Sequence, residues 1–304
     1  MSAPVAHNYS EPTILRVDSF PMRLFEKAKR LGVWNPSDFD FSQDREDWQA
    51  MGGERRDALL SLTAQFLGGE EAVALDLLPL VLAVARQGRL EEEMYLTTFL
   101  FEEAKHMDFF SRWLREVTDS ATLPPASDAS VRLFDVELPN AMNALLEDQS
   151  PAAQARASVT YNMIIEGVLA ETGYNSYHRS LAVNDLMPGL CAGLVNIKRD
   201  ESRHIAYGVY LLSRLVAEDN SAWDAIEQRM TELQPVMEAI ILAGYDEYPD
   251  GVNPFGLRVD EFSEFAGTQF RKRYERIAKA RERTLAEIEA SSEPGEVEDL
   301  VAES

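Results

Sequence analysis

The chain has 304 residues, 45% of them hydrophobic, enough to bury a sizeable core in one large domain. Its 52 acidic residues against 29 basic ones give a net charge of −23, which argues against nucleic acid or an anionic membrane as partner and favours solubility. The single cysteine, Cys191, excludes an internal disulfide and suits a reducing cytoplasm, and the longest apolar run, Leu77 to Ala85, contains Pro79 and is too short to span a bilayer.

In chain order, the first fifty residues read as mixed and turn-rich, ending near Gly52-Gly53, and the first twenty show no apolar stretch behind basic residues that would mark a secretory signal. A helix is predicted from Glu54 to Gln87, carrying Glu70, with Pro79 kinking it or marking an irregular turn. The next runs from Leu90 to Val117. Pro124 and Pro125 break the chain before a helix from Ser127 to Asp148. Ser150-Pro151 then opens a stretch to Ala182, with Ser150 available as a cap and Glu166 near its middle. Helices follow from Pro188 to Ala217, from Ala222 to Tyr245 and from Asp260 to Ala290. No run shows sustained period-two alternation of β-branched residues, so the predicted fold class is all-α. Residues 1–290 are expected to form one domain, and the acidic tail of residues 291–304, poor in large apolar side chains, to be mobile.

Two of these helices carry Glu-x-x-His, as Glu103/His106 and Glu201/His204, using half of the four histidines. Side chains three apart share one helix face, so each motif can offer a carboxylate and an imidazole to one ion. When two further helices each add a glutamate, a bundle core can hold two metals. Glu70 and Glu166 fit that role. Their flanks, Phe66-Leu67-Gly68-Gly69 and Met163-Ile164-Ile165, are apolar or small, and an acidic group is costly to bury there without a partner. The order Glu, Glu-x-x-His, Glu, Glu-x-x-His recurs with nearly equal gaps, a two-fold repetition of helix pairs.

Four carboxylates and two imidazoles form a hard oxygen–nitrogen set suited to iron or manganese, and Cys191 lies on no zinc-like repeat. Spacing leaves one choice open. Glu102 and Asp200, four before each histidine, share its face as well, so periodicity cannot decide between positions three and four. Asp200 is the better candidate for the acceptor that orients a metal-bound histidine. His7 is expected in a flexible terminus, and His178 on a partly exposed helix face.

At this point the residues carry a resemblance. The chain is similar to the small subunit of class I ribonucleotide reductase, and more closely to its relative, the ligand-binding oxidase with a manganese/iron cofactor. The matching strings are Lys27-Ala28-Lys29-Arg30 with Trp34-Asn35-Pro36 and Asp40-Phe41-Ser42-Gln43-Asp44; Gly69-Glu70-Glu71-Ala72-Val73; Arg86-Gln87-Gly88-Arg89-Leu90-Glu91; Glu103-Ala104-Lys105-His106; Tyr161-Asn162-Met163-Ile164 with Glu166-Gly167; and Asp200-Glu201 with Arg203-His204-Ile205. The similarity spans about residues 18 to 280.

The resemblance implies a ferritin-like four-helix-bundle core with additional helices, assembled as a homodimer. It implies manganese at Glu70, Glu103 and His106, iron at Glu166, Glu201 and His204, and Glu103 bridging, with a di-iron pair as the other option. It further implies oxygen activation, an apolar channel holding a long-chain fatty acid, and a two-electron oxidation that joins Tyr161 to Val73. Trp34, Asp200 and His106 match the electron-transfer chain of the reductase subunits. Val73 stands three after Glu70 and so shares its face. Tyr161 is harder: five before Glu166, it lies about 140° round an ordinary helix, so either the long side chain reaches across or the helix contains a π-bulge.

The alternative is a reductase small subunit acting with a large subunit. Phe110, four after His106, excludes a tyrosyl radical at that position but leaves the metal-radical type open. The chain ends Glu298-Asp299-Leu300-Val301-Ala302-Glu303-Ser304, acidic like the docking tails of such subunits but without a terminal aromatic anchor. An iron store or a purely structural bundle is the remote alternative.

Overall fold

The computed structural model describes residues 12–291; the expectations for His7 and for residues 292–304 of the tail lie outside them. Among the described residues every regular element is a helix, with no strand beyond one isolated bridge between Val252 and Arg258. The helices are α1 (Phe20–Leu31), α2 (Ser42–Ala50), α3 (Gly53–Asp76), α4 (Leu78–Arg86), α5 (Leu90–Val117), α6 (Asp128–Val131) and α7 (Leu138–Asn143). They continue as α8 (Pro151–Ser158), α9 (Glu171–Ser180), α10 (Pro188–Glu218), α11 (Ser221–Ala243), α12 (Val259–Ala278) and α13 (Leu285–Ser291). All-α is the observed class, in a ferritin-like arrangement.

Four of the predicted spans need correction. The first fifty residues are not mainly turns: α1 buries Phe20, Met22, Leu24 and Ala28 against α5 and α10, and α2 buries Asp44 and Trp48. Helices this short gain their stability from such packing rather than from propensity. The stretch from Glu54 to Gln87 divides at Leu77, which places Pro79 in the first turn of α4, where its missing N–H costs nothing. Between Ser127 and Asp148 the helix is fragmented into α6, a π-helical turn at Arg132–Glu137, α7 with Pro139 in its first turn, and a 3-10 turn at Ala144–Leu146. The last helix stops at Ala278, passes through a 3-10 turn and resumes as α13.

Other signals hold closely. α5 begins and ends where periodicity put it, and Ser150 caps α8 by accepting from the Ala153 amide at 3.2 Å. From Pro151 to Ser180 the chain is helical without a break, but its middle, Val159–Ala170, is π-helical rather than α. That segment, α3, α5 and α10 are the four runs that carry the acidic and histidine motifs.

Close approach between them depends on small residues. A Cβ on Gly208 of α10 would lie 2.3 Å from the Cβ of Asn162 in the π segment, and one on Gly193 would lie 1.9 Å from the ring of Phe109 in α5. Both distances are inside van der Waals contact, so glycine is what lets α10 lie against its two neighbours. Around the bundle, one apolar cluster contains Val73, Phe99, Tyr161 and Tyr207, and a second contains Phe66, Phe109, Phe110 and Trp113.

Candidate metal centre

Glu70, Glu103, His106, Glu166, Glu201 and His204 meet at the middle of the four runs, all buried. They form two overlapping groups. One is Glu70, Glu103, His106 and Glu201; the other is Glu103, Glu166, Glu201 and His204; within each, one donor atom per residue lies within 4.8 Å of the others. Glu103 and Glu201 stand in both.

Both imidazoles turn Nδ1 inward. His106 Nδ1 lies 3.4 Å from Glu70 Oε2, 3.3 Å from Glu201 Oε1 and 3.8 Å from Glu103 Oε2. His204 Nδ1 lies 3.0 Å from Glu103 Oε1, 3.4 Å from Glu201 Oε2 and 3.8 Å from Glu166 Oε1. Yet His106 Nδ1, His204 Nδ1, Glu103 Oε1, Glu166 Oε1 and Glu201 Oε2 make no hydrogen bond although all are buried. Native interiors rarely leave such atoms unsatisfied, and five converging on one space fit a pair of cations.

Electrostatics point the same way. Burial raises the carboxyl groups of Glu70 and Glu166 well above the usual carboxylate range, and neighbouring glutamates add repulsion at both. Burial also works against charge on the two imidazoles, but the surrounding carboxylates outweigh it and raise both well above their ordinary value. For Glu201 burial is likewise opposed, and the two histidines hold it down to about 2. Metal-free, such a cluster keeps its charge in check with protons; binding cations would release them.

The outward nitrogens settle the open choice of spacing. His106 Nε2 faces Asp200 Oδ2 at 3.4 Å, and His204 Nε2 faces Glu102 Oε2 at 2.9 Å. Glu102 and Asp200 therefore each orient the histidine of the opposite helix, while Glu103 and Glu201 point to the centre. Arg203 ties the pair together, reaching Glu102 Oε1 at 2.6 Å and Asp200 Oδ1. Trp34 Nε1 donates to Asp200 Oδ2 at 2.7 Å and its ring stacks near His106, so Trp34, Asp200 and His106 are contiguous as expected. Lys105 also reaches Asp200, at 3.2 Å, and lies over the Trp34 ring.

Sequence reasoning passed over Glu102 as an orienting residue, although the parallel between Glu102-Glu103 and Asp200-Glu201 carried the signal. It also missed Asn162, whose Nδ2 donates to Glu166 Oε2 at 2.9 Å, and Tyr174, whose hydroxyl donates to Glu201 Oε1 at 3.2 Å. A Glu102→Gln variant is expected to bind metal at the His204 side about 10- to 100-fold more weakly, as losses of such orienting partners do, with the fold intact by circular dichroism. Titration of purified protein with iron(II) measures it; unchanged affinity would remove Glu102 from the role.

Tyr161 reaches α3. Its hydroxyl donates to the backbone carbonyl of Val73 at 3.4 Å, with both side chains buried. The π segment is the reason: i→i+5 bonding brings residues five apart close to one turn, so Tyr161 and Glu166 share a side they would not share on an α-helix. Phe110 packs on Phe66 and Tyr177, and His178 is exposed, away from the centre.

Bundle and centre together define a ferritin-like di-metal carboxylate protein. The family model for the ribonucleotide reductase small chain matches residues 23–246, and the chain belongs to that family. Among solved structures it is similar to a valine-to-leucine variant of an R2-like ligand-binding oxidase with aerobically reconstituted Mn/Fe cofactor, at 39% identity over 86% of this chain and 94% of that one, with a TM-score of 0.81. A tyrosine-to-phenylalanine variant with anaerobically reconstituted Mn/Fe cofactor matches at 38% identity over 89% and 98%, with a TM-score of 0.82. The chain is accordingly a di-metal oxidoreductase.

Proposed function

We propose that this protein is an oxygen-activating oxidase holding one manganese and one iron. Manganese is assigned to Glu70, Glu103 and His106, iron to Glu166, Glu201 and His204, with Glu103 bridging and Glu201 positioned to reach either ion. The observation that carries the reading is the convergence of five buried, unbonded donor atoms on one space. The description of the similar solved structures as Mn/Fe oxidases supports the metal pair.

The bound pair would supply redox chemistry with dioxygen. The chain's own residues hold and aim it: Asp200 and Glu102 fix the imidazole planes, Asn162 fixes Glu166, and Trp34 offers a route for electrons from outside the bundle. Affinity order alone ranks iron(II) above manganese(II), so a manganese preference must come from geometry or from the reaction with oxygen. Anomalous diffraction at the two absorption edges, on protein given both ions under reducing conditions and then oxygen, tests the assignment. Manganese beside His106 and iron beside His204 are expected; two irons, or zinc, would overturn it.

We assign a long-chain fatty acid as the ligand, supported by the relatives' description as ligand-binding; solvent extraction and mass spectrometry of the purified protein checks for it. A homodimer is supported by exposed Leu78 and Leu82, four apart on one face of α4, with Leu75 also exposed at the end of α3. No described helix is long and apolar enough to cross a membrane, and the lone Cys191 suits the cytoplasm.

A further inference from the structure

Trp34 approaches the centre beside His106; a different line of rings leaves it from His204. Phe99 lies parallel to the His204 imidazole, with centroids 3.6 Å apart and 8° between planes. Tyr95 follows at 6.2 Å from Phe99, Tyr207 at 5.2 Å from Tyr95, and Tyr210 at 6.3 Å from Tyr207. These are the separations of aromatic rings in packing contact. Phe99, Tyr95 and Tyr207 are fully buried, and Tyr210, at 5% exposure, is the outermost of the line.

Of these rings the phenols give up an electron most readily, while Phe99 can only bridge. An oxidised phenol is a strong acid, so its radical persists where the hydroxyl proton has somewhere to go. Tyr95 offers no such place, because its hydroxyl makes no hydrogen bond. Tyr207 does: its hydroxyl donates to Glu92 Oε2 at 3.1 Å. Glu92 is buried and held in place by Arg214 and Arg89, each 3.3 Å from its Oε1, with a longer contact from Arg214 to Oε2. A structural ion pair would use the phenol only to satisfy Glu92 Oε2, whose other contact is Arg214 at 3.4 Å. Beside a line of rings that reaches His204, the same carboxylate is also placed to take the phenol's proton.

We propose that Tyr207, paired with Glu92, is a proton-coupled redox site joined to the metal centre through Tyr95 and Phe99. The inference rests on the redox-active pair proposed above. Tyr207 gives one electron by way of Tyr95 and Phe99 to the oxidised dinuclear centre, and its hydroxyl proton passes to Glu92 Oε2. The products are a neutral phenoxyl radical, a neutral Glu92 carboxyl group and a centre reduced by one electron. A soluble one-electron donor acting at Tyr210 restores the phenol, with Glu92 returning the proton. The site drains an oxidising equivalent that meets no substrate and so spares the metal-binding side chains.

The test is electron paramagnetic resonance on metal-loaded protein, freeze-quenched after mixing with oxygen, in three forms: native, Tyr207→Phe and Glu92→Gln. A fourth form, with Tyr207 replaced by 3-aminotyrosine, traps the hole. A tyrosyl signal that Tyr207→Phe abolishes is expected. It should carry an exchangeable proton coupling, removed in deuterium oxide and altered by Glu92→Gln, which a structural role would not produce. The trap should give an aminotyrosyl signal. Metal content is measured on the same samples. Both ions bound, oxygen consumed and no radical at 207 in native or trapped protein overturns the inference. Failure to bind the ions counts against the proposed function instead; a flash-generated ruthenium polypyridyl oxidant then supplies the hole, and a radical insensitive to Tyr207→Phe overturns the inference there too.

Discussion

A Glu103→Ala variant is expected to lose oxygen uptake to background while His178→Ala keeps both metal loading and uptake. Glu103 is one of two carboxylates, with Glu201, whose oxygens face both imidazoles; its own lie 3.8 Å from His106 Nδ1 and 3.0 Å from His204 Nδ1. On the assignment proposed above, its removal takes a ligand from both ions at once and leaves Glu201 as the carboxylate common to both groups. His178 is exposed on α9 and touches none of them. Metal analysis and an oxygen electrode on the two variants decide the matter. Equal losses would mean that the ligand set is wrong, and near-native uptake by the Glu103 variant would transfer the bridging role to Glu201.

The second large effect is covalent. Protein loaded with both metals and exposed to oxygen is expected to be lighter by two hydrogens, with Tyr161 Oη joined to Val73 Cβ. The O–H of Tyr161 and the tertiary C–H of Val73 break, one C–O bond forms, and two electrons and two protons pass to dioxygen. The bound metal pair would supply the other two electrons, and solvent the other two protons, that take dioxygen to two waters. The contact between the Tyr161 hydroxyl and the Val73 backbone supports the reaction, since it brings the phenol to the residue three after Glu70, on the same helix face. Intact mass and a peptide map check it. Separate, unmodified Tyr161 and Val73 peptides after oxygen exposure with both metals bound would sink it, and Tyr161→Phe should show no mass change.

How much of this was legible before folding differs from element to element. The span of α5 was readable at both ends, because a long amphipathic helix writes its period into the sequence. α1 and α2 were not, because each is short and owes its form to what it packs against. The six inward residues were legible as two Glu-x-x-His motifs and two glutamates among apolar neighbours, since spacing of three fixes a shared face and burial of an unpaired carboxylate needs a reason.

What the sequence alone determined is therefore the chemistry: an all-α chain, a hard oxygen–nitrogen ligand set, and the residues that compose it. What tertiary structure decided is direction. Positions three and four before a histidine differ by about 100° around the axis, and which of the two faces the centre depends on how each helix is rotated against its neighbours. Packing turned Glu103 and Glu201 inward and sent Glu102 and Asp200 across to the opposite histidines. The π-helical turn that carries Tyr161 to Val73 was decided in the same way. Its i→i+5 bonds leave no distinct period over so few residues, so only the surrounding helices show that the segment is wound that way.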